Sequence, residues 1–293
     1  MSELEIIESI KRSITVTSQI SVPIGDDCAE VSIGADKLLV TQDMLLDGSH
    51  FDSKKHTFKQ IINKLFAVNC SDIYAMGGIP SFASIALALP KSGVDKENLA
   101  KAIKAASEKY QVDISGGDTN SWDGPLAITM TLCGHAIKRA ITRSGAKEGD
   151  AIYVTGPLGG SLVNDRHLNP PNKLTTLRKL IDTLNITSMI DISDGLATDL
   201  RHILKASHVG AILYEKNIPI HEDSEGITSS LCDGEDFELC FTSSCLDTKQ
   251  PNFKDNLKDL GIVYIGKITD KPNIFELDSE GKIKAFNLKG YEH

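Results

Sequence analysis

No stretch of the sequence approaches the roughly 20 consecutive apolar residues that span a bilayer, so a membrane helix is not expected. The six cysteines, Cys28, Cys70, Cys133, Cys232, Cys240 and Cys245, form no C-x-x-C pair and no framework spacing. That argues against a zinc site and a disulfide scaffold, and they read as reduced thiols of a cytoplasmic protein. The phosphate-cradling patterns G-x-x-x-x-G-K-[ST] and G-x-G-x-x-G are missing as well, which excludes a P-loop and a dinucleotide fingerprint. Basic excess is missing too. A net charge of −9 argues against nonspecific binding to nucleic acid or anionic membrane. It leaves room for a nucleotide substrate, because bound metal ions reverse the local field of an acidic site. The opening residues, MSELEIIESIKRS, are acidic and amphipathic and do not read as a secretory signal.

What is present is an ordinary globular composition, 41% hydrophobic and 24% charged over 293 residues, a length that suits two domains or one large one. Segments with strand and helix character alternate, which gives an α/β or α+β class. Strands are expected at Lys37–Thr41, Ser84–Leu89, Ala127–Gly134 and Ala151–Thr155, and helices at Thr57–Met76 and Lys96–Tyr110. The turn-rich segment Arg143–Asp150 is the candidate boundary. Beyond it the pattern predicts strands near Ser188–Ile192, Ala211–Glu215, Phe237–Thr242 and Val263–Ile268, and a helix from Leu196 to Ser207. A hairpin is expected over Ile274–Ala285, turning at Ser279–Gly281.

One set of carboxylates stands apart from a solvated surface. Asp26 and Asp27 lie in IGDDCA, Asp43 follows LLVTQ, Asp72 lies in NCSDIYAMGG, Asp118 in SGGDT, and Asp191 and Asp194 in MIDISDGL. On the Thr57 helix, Phe58, Ile61, Ile62, Leu65, Ile73 and Met76 form an apolar stripe, and Asn69 and Asp72 fall inside it. A carboxylate on a buried face must be paired, cap a helix end or bind a metal, and metal ligation is the favoured reading. Asp43 and Asp191 each follow or end a short apolar run, where α/β sheets carry site residues. Oxygen ligands without His/Cys clustering favour Mg²⁺, which bridges carboxylates and nucleotide phosphates. The glycine pairs Gly77–Gly78, Gly116–Gly117 and Gly159–Gly160 are by themselves turn signals.

These segments in their order resemble the thiamine-monophosphate kinases. The resemblance is carried by GDDCA (25–29), TQDMLLDGSHF (41–51), KLFAVNCSDIYAMGGIP (64–80) and GGDT (116–119). It continues through TRSGAKEGDAIYVTGPLGG (142–160), MIDISDGLATDL (189–200), GEDFELCFT (234–242) and the terminal KGYEH. The family sits in a superfamily with aminoimidazole ribonucleotide synthetase and selenophosphate synthetase. The resemblance implies an N-terminal α/β domain over 1–138 that binds ATP and Mg²⁺ and dimerises, and a C-terminal α+β domain over 139–293 that completes the cleft. Both would carry mixed sheets flanked by helices. It further implies a homodimer and in-line transfer of the ATP γ-phosphoryl group to thiamine monophosphate, assisted by several Mg²⁺ ions.

Carried over position by position, Asp27, Thr41, Asp43, Asp72, Asp118, Asp191 and Asp194 are the implied metal ligands, with Gln42 standing where the family often has threonine. Gly117, Asp118, Arg143 and Ser193 are the implied ATP contacts, and Asp72 and Arg143 the implied catalytic groups. His50 and Glu235 match positions facing the thiamine phosphate. Leu288 stands where the family often has tryptophan, and offers apolar contact in place of ring stacking. Trp122, in the loop after GGDT, reads as a lid or surface residue, and Cys28 as a small packing residue. Two other classes stay open: a sister reaction of the superfamily, and a non-catalytic nucleotide- or Mg²⁺-binding module.

Overall fold

The structure is a computed structural model that describes residues 3–244, 257, 259–272, 275–279 and 282–285. Cys245 and Leu288 lie outside the described residues, as does the turn between the last two strands.

Two sheets organise the chain. The first is built from β1 (Ile20–Val22), β2 (Ala29–Ile33), β3 (Asp36–Leu46), β4 (Gly78–Pro90), β5 (Asp113–Trp122) and β6 (Ala127–Ala136), in the order β1-β2-β3-β6-β4-β5. The second holds β7 (Ala151–Val154), β8 (Ile186–Ile192), β9 (Gly210–Tyr214), β10 (Glu238–Ser243), β11 (Val263–Thr269), β12 (Phe275–Ser279) and β13 (Lys282–Ala285), in the order β13-β12-β9-β11-β7-β10-β8. Both are mixed: β4 pairs parallel with β5, and β12 parallel with β9, among antiparallel neighbours. Among the described residues no helix is long and apolar enough to cross a membrane.

On β3 the period-2 rule sorts Leu39, Thr41, Asp43 and Leu45 to one face and Gln42, Met44 and Leu46 to the other. The first face packs on α2 (Phe58–Ala75), whose start is fixed by a capping box between Thr57 and Gln60. Helix α3 (Lys96–Tyr110) lies beside α2, N-capped by Asp95. The second face is open, and Met44 and Phe82 are 52% and 38% exposed.

Helix α2 is buried on almost every side, because the second sheet covers what the first leaves free. Leu65 and Ile73 share one core with Leu180 of α4 (Leu174–Thr183), Met189 of β8 and Phe241 of β10. A second core fills the other face of that sheet, where Ile190 and Ile192 meet Leu200 and Ile203 of α5 (Leu196–Ser207). Alternation along β8 therefore turns Met189 and Asp191 toward α2.

Three sequence expectations are corrected. Strand β3 runs on to Leu46, so Asp43 lies inside a strand instead of at its end. The glycines of GGDT form no turn. They sit within β5, and Trp122 is the last residue of that strand rather than part of a loop. Gly117 is required there by close approach, since a Cβ would lie 1.8 Å from the Ile85 carbonyl oxygen of β4.

Candidate active site

Asp27, Asp72 and Asp191 arrive from three elements: the β1–β2 loop, the last turns of α2 and the end of β8. Each offers a carboxylate oxygen within 4.8 Å of the others. Neighbouring polar groups orient them. The Ser71 hydroxyl donates to Asp191 Oδ2 at 2.6 Å, and the Thr41 hydroxyl donates to Asp72 Oδ2. Asn69, fully buried, accepts the Asp43 N–H at 3.2 Å and donates to the Leu65 carbonyl at 2.9 Å. Asp43, its N–H held by Asn69, enters beside Asp72 from β3.

Burial dominates the electrostatics. It raises the Asp43 carboxyl to about 6 and the Asp191 carboxyl to about 8, with the charge of Asp27 adding to the rise at Asp191. Asp72 is pushed well above the carboxylate range by burial and then by Asp43 and Asp191. Asp27 is raised by burial against the pull of Arg143. Two buried oxygens, Asp27 Oδ2 and Asp43 Oδ2, have no hydrogen-bond partner. Carboxylates crowded so closely repel unless they are protonated or share a cation, and oxygen donors alone suit a hard divalent ion.

Arg143 closes one side. Its Nη2 lies 3.0 Å from Asp27 Oδ1, and its backbone N–H donates to Asp26 Oδ1 at 2.6 Å. The adjacent aspartates thus divide the work: Asp26 anchors the Arg143 loop and Asp27 faces the cluster. The DISDG loop is drawn tight by Asp199 of α5, whose Oδ2 accepts the N–H groups of Ser193 and Asp194, both at 3.0 Å.

Next to the carboxylates lies a cleft of about 270 Å³ walled by Gly48–Asp52, His56, Lys64, Leu162, His167 and Glu235. Lys64 of α2 is 1% exposed; its Nζ lies 2.6 Å from Glu235 Oε2 and donates to the His50 carbonyl at 3.0 Å. The His50 ring accepts the Leu46 N–H at Nδ1, 3.0 Å, which leaves the proton of a neutral ring on Nε2. Glu235 and Phe237 hold φ of 69° and 49°, a left-handed backbone uncommon outside glycine. That loop is tied to the end of β8 and the residue after it by Phe237 N–H to Ile192 O at 2.8 Å and Glu235 N–H to Ser193 O at 2.7 Å. Strain of this kind persists where surrounding structure holds it, and clusters at functional sites.

Residues 25–136 match the family model described as AIR synthase related protein, N-terminal domain. The thiamine-monophosphate kinase of Rhodopirellula baltica is 36% identical, over 94% of this chain and 92% of that protein. The chain belongs to the thiamine-monophosphate kinase family. The Escherichia coli K12 member is 33% identical over 94% of this chain and 92% of its own length. A solved structure, "AaThiL complexed with AMPPCP and TMP", superposes with a TM-score of 0.83 at 27% identity, covering 100% of this chain and 97% of that one.

Of the residues that the family resemblance implicates, Asp27, Thr41, Asp43, Asp72 and Asp191 are brought together, with Arg143 against Asp27. Ser193 and Asp194 lie on the loop held by Asp199, and His50 and Glu235 share the cleft. Gln42 points to the open face of the first sheet, where it accepts from the Thr131 hydroxyl at 2.7 Å. Gly117 and Asp118 lie apart, on the exposed edge strand β5. Two strands separate β5 from β3, a distance of about 14 Å. Asp118 pairs in register with Ala86, Ala86 with Thr129 and Thr129 with Met44, so Asp118 belongs to the open face, opposite Asp43. Sequence reasoning passed over Asn69's oxygen as a support, and Ser71, Lys64, His167 and Asp199 entirely. Cys28 is 3% exposed, and burial followed by the Asp72 charge drives its thiol well up, as befits a packing residue.

Proposed function

We propose that this protein transfers the γ-phosphoryl group of ATP in line onto the phosphate of thiamine monophosphate, forming thiamine diphosphate and ADP. The observation that carries the reading is the convergence of Asp27, Asp72 and Asp191 within 4.8 Å beside the His50–Glu235 cleft, in a chain of this family. The acceptor oxygen is already anionic at neutral pH, so no general base is needed; the obstacle is bringing two polyanions together.

The unpartnered Asp27 and Asp43 oxygens and the raised carboxyls fit a site built around Mg²⁺. Asp27, Asp43, Asp72 and Asp191 would hold the ions, with the Thr41 hydroxyl, Gln42 and Asp194 at the margin. Bound Mg²⁺ supplies charge neutralisation and a template for the phosphates. Arg143, held in place through Asp27 and Asp26, offers a planar donor fork to phosphate oxygens. Ser193 sits on the tightened loop toward the nucleotide. His50, Glu235 and Leu288 are assigned to the thiamine ester, Glu235 as the counter-charge to its cationic ring.

The assignment of Gly117 and Asp118 to ATP supports a homodimer. Within one protomer Asp118 faces away from Asp43, on the same open sheet face as the exposed Met44 and Phe82. A second copy laid on that face would cover the apolar side chains and bring Asp118 of the partner subunit toward Gln42. On this reading residues 1–138 carry the ATP, Mg²⁺ and dimer surfaces, and residues 139–293 close the cleft. The free thiols of Cys28, Cys70, Cys133, Cys232 and Cys240 suit a cytoplasmic location.

The test is chromatographic: ATP, Mg²⁺ and thiamine monophosphate, with free thiamine as a parallel acceptor. Thiamine diphosphate is expected from the monophosphate alone. Its absence, despite Mg²⁺-dependent ATP binding, would sink the reading.

A further inference from the structure

The cleft contains a polar group that phosphoryl transfer leaves unused. His167 is 6% exposed and lines the cleft, yet its Nδ1 has no hydrogen-bond partner. A buried nitrogen left so costs free energy that a bound partner restores. The ring is also held rigidly. Its backbone N–H donates to the Ser161 carbonyl at 2.8 Å, and the preceding Asn164 and Asp165 carry left-handed φ of 57° and 55°. His56 meets it edge-on with centroids 6.1 Å apart, and Asp165 lies 3.4 Å from His56 Nε2. Burial and then the charge of Lys64 push the His167 imidazole down, so at neutral pH it is an uncharged hydrogen-bonding group.

Its position in the cleft fixes which part of the substrate it meets. Glu235 is tied to the carboxylate end, its N–H donating at 2.7 Å to the carbonyl of Ser193, two residues beyond Asp191, and it lines the cleft together with His167. The reacting phosphate belongs at the carboxylate end, so the rings of the thiamine ester extend past Glu235 toward His167. The thiazolium cation suits Glu235, and the aminopyrimidine, with neutral donors and acceptors, suits a neutral imidazole. We propose that His167 is a specificity-determining contact that hydrogen-bonds the aminopyrimidine of thiamine monophosphate. The inference rests on the kinase reading above.

The test compares the parent enzyme with His167→Ala and His167→Asn. Each is assayed with thiamine monophosphate and with oxythiamine monophosphate, in which the pyrimidine amino group is replaced by oxygen. Expected is a rise of about tenfold in KM for thiamine monophosphate with KM for ATP unchanged. The preference for the amino over the oxo substrate, read as the ratio of kcat/KM values, should shrink severalfold in both variants. An unchanged ratio overturns the inference, as do KM values that rise together for both substrates in both variants. A parent enzyme that binds ATP but makes no thiamine diphosphate overturns the kinase reading itself, and this inference with it.

Discussion

Stripped of divalent cations, the protein should gain stability relative to its Asp191→Asn variant as the pH falls from 8 to 6. Burial, and then the charge of Asp27, raises the native Asp191 carboxyl to about 8. In the unfolded chain the same group titrates near about 3.9. Between those values the native state holds a proton that the unfolded state lacks, so stability falls as pH rises through the window and is regained on acidification. Integrated from pH 8 to pH 6, this one group contributes about 2 kcal/mol. Asp43, raised to about 6, adds a few tenths in the same direction. His202 opposes them: burial and then Arg143 push it down to about 4, so the unfolded chain takes up that proton first. Because Asp43 and His202 are present in both proteins, their effects cancel in the difference. Urea unfolding followed by circular dichroism, in chelator and then in saturating Mg²⁺, gives the comparison. The parent should gain about 2 kcal/mol over the variant in chelator and close to nothing in Mg²⁺, where bound cation keeps the carboxylates ionised at both pH values. An identical pH response of the two proteins in chelator would refute the reasoning.

Lys64→Met should cost about 3 kcal/mol in urea unfolding, because it strands Glu235 as an uncompensated buried charge, and Lys64→Met/Glu235→Gln should recover much of that loss. Asp199→Ala removes the acceptor for two loop N–H groups; kcat is expected to fall on the order of 10–100-fold in a steady-state assay, with KM for thiamine monophosphate little changed. Met44→Asp plants a charge on the open sheet face. If the proposed homodimer forms through that face, sedimentation velocity should show the parent as a dimer and the variant as a monomer with turnover lost; a variant that stays dimeric would remove the support for a shared site.

How much of this was legible in the sequence depends on whether the causes are local. Helices α3 and α5 run where periodicity predicts them, over Lys96–Tyr110 and Leu196–Ser207. Asp72 betrayed itself by falling within an apolar stripe. Lys64 did not, because it lies on the far side of α2, and that side is buried only by the second sheet. The signal available there was a line of small residues, Ala67, Ser71 and Ala75 at four-residue spacing, which lets β8 approach and Ser71 reach Asp191. Strand β5 was hidden because glycine is a poor strand former, and only the pairing with β4 explains why Gly117 must lack a Cβ. His167 lies more than a hundred residues from His50 and Lys64, and no local pattern joins them. Asp199 carries no sequence signal beyond a first-turn acid, because its role lies in accepting the N–H groups of Ser193 and Asp194 across the turn.

The most direct measurement is thiamine diphosphate formation from ATP and thiamine monophosphate across an Mg²⁺ titration, with the parent and a folded Asp72→Asn protein side by side. The parent should form product only when Mg²⁺ is present, and the variant should be slower by on the order of 100-fold or more. A variant as fast as the parent, or product formed by the parent in chelator, would contradict the role given to the carboxylate cluster.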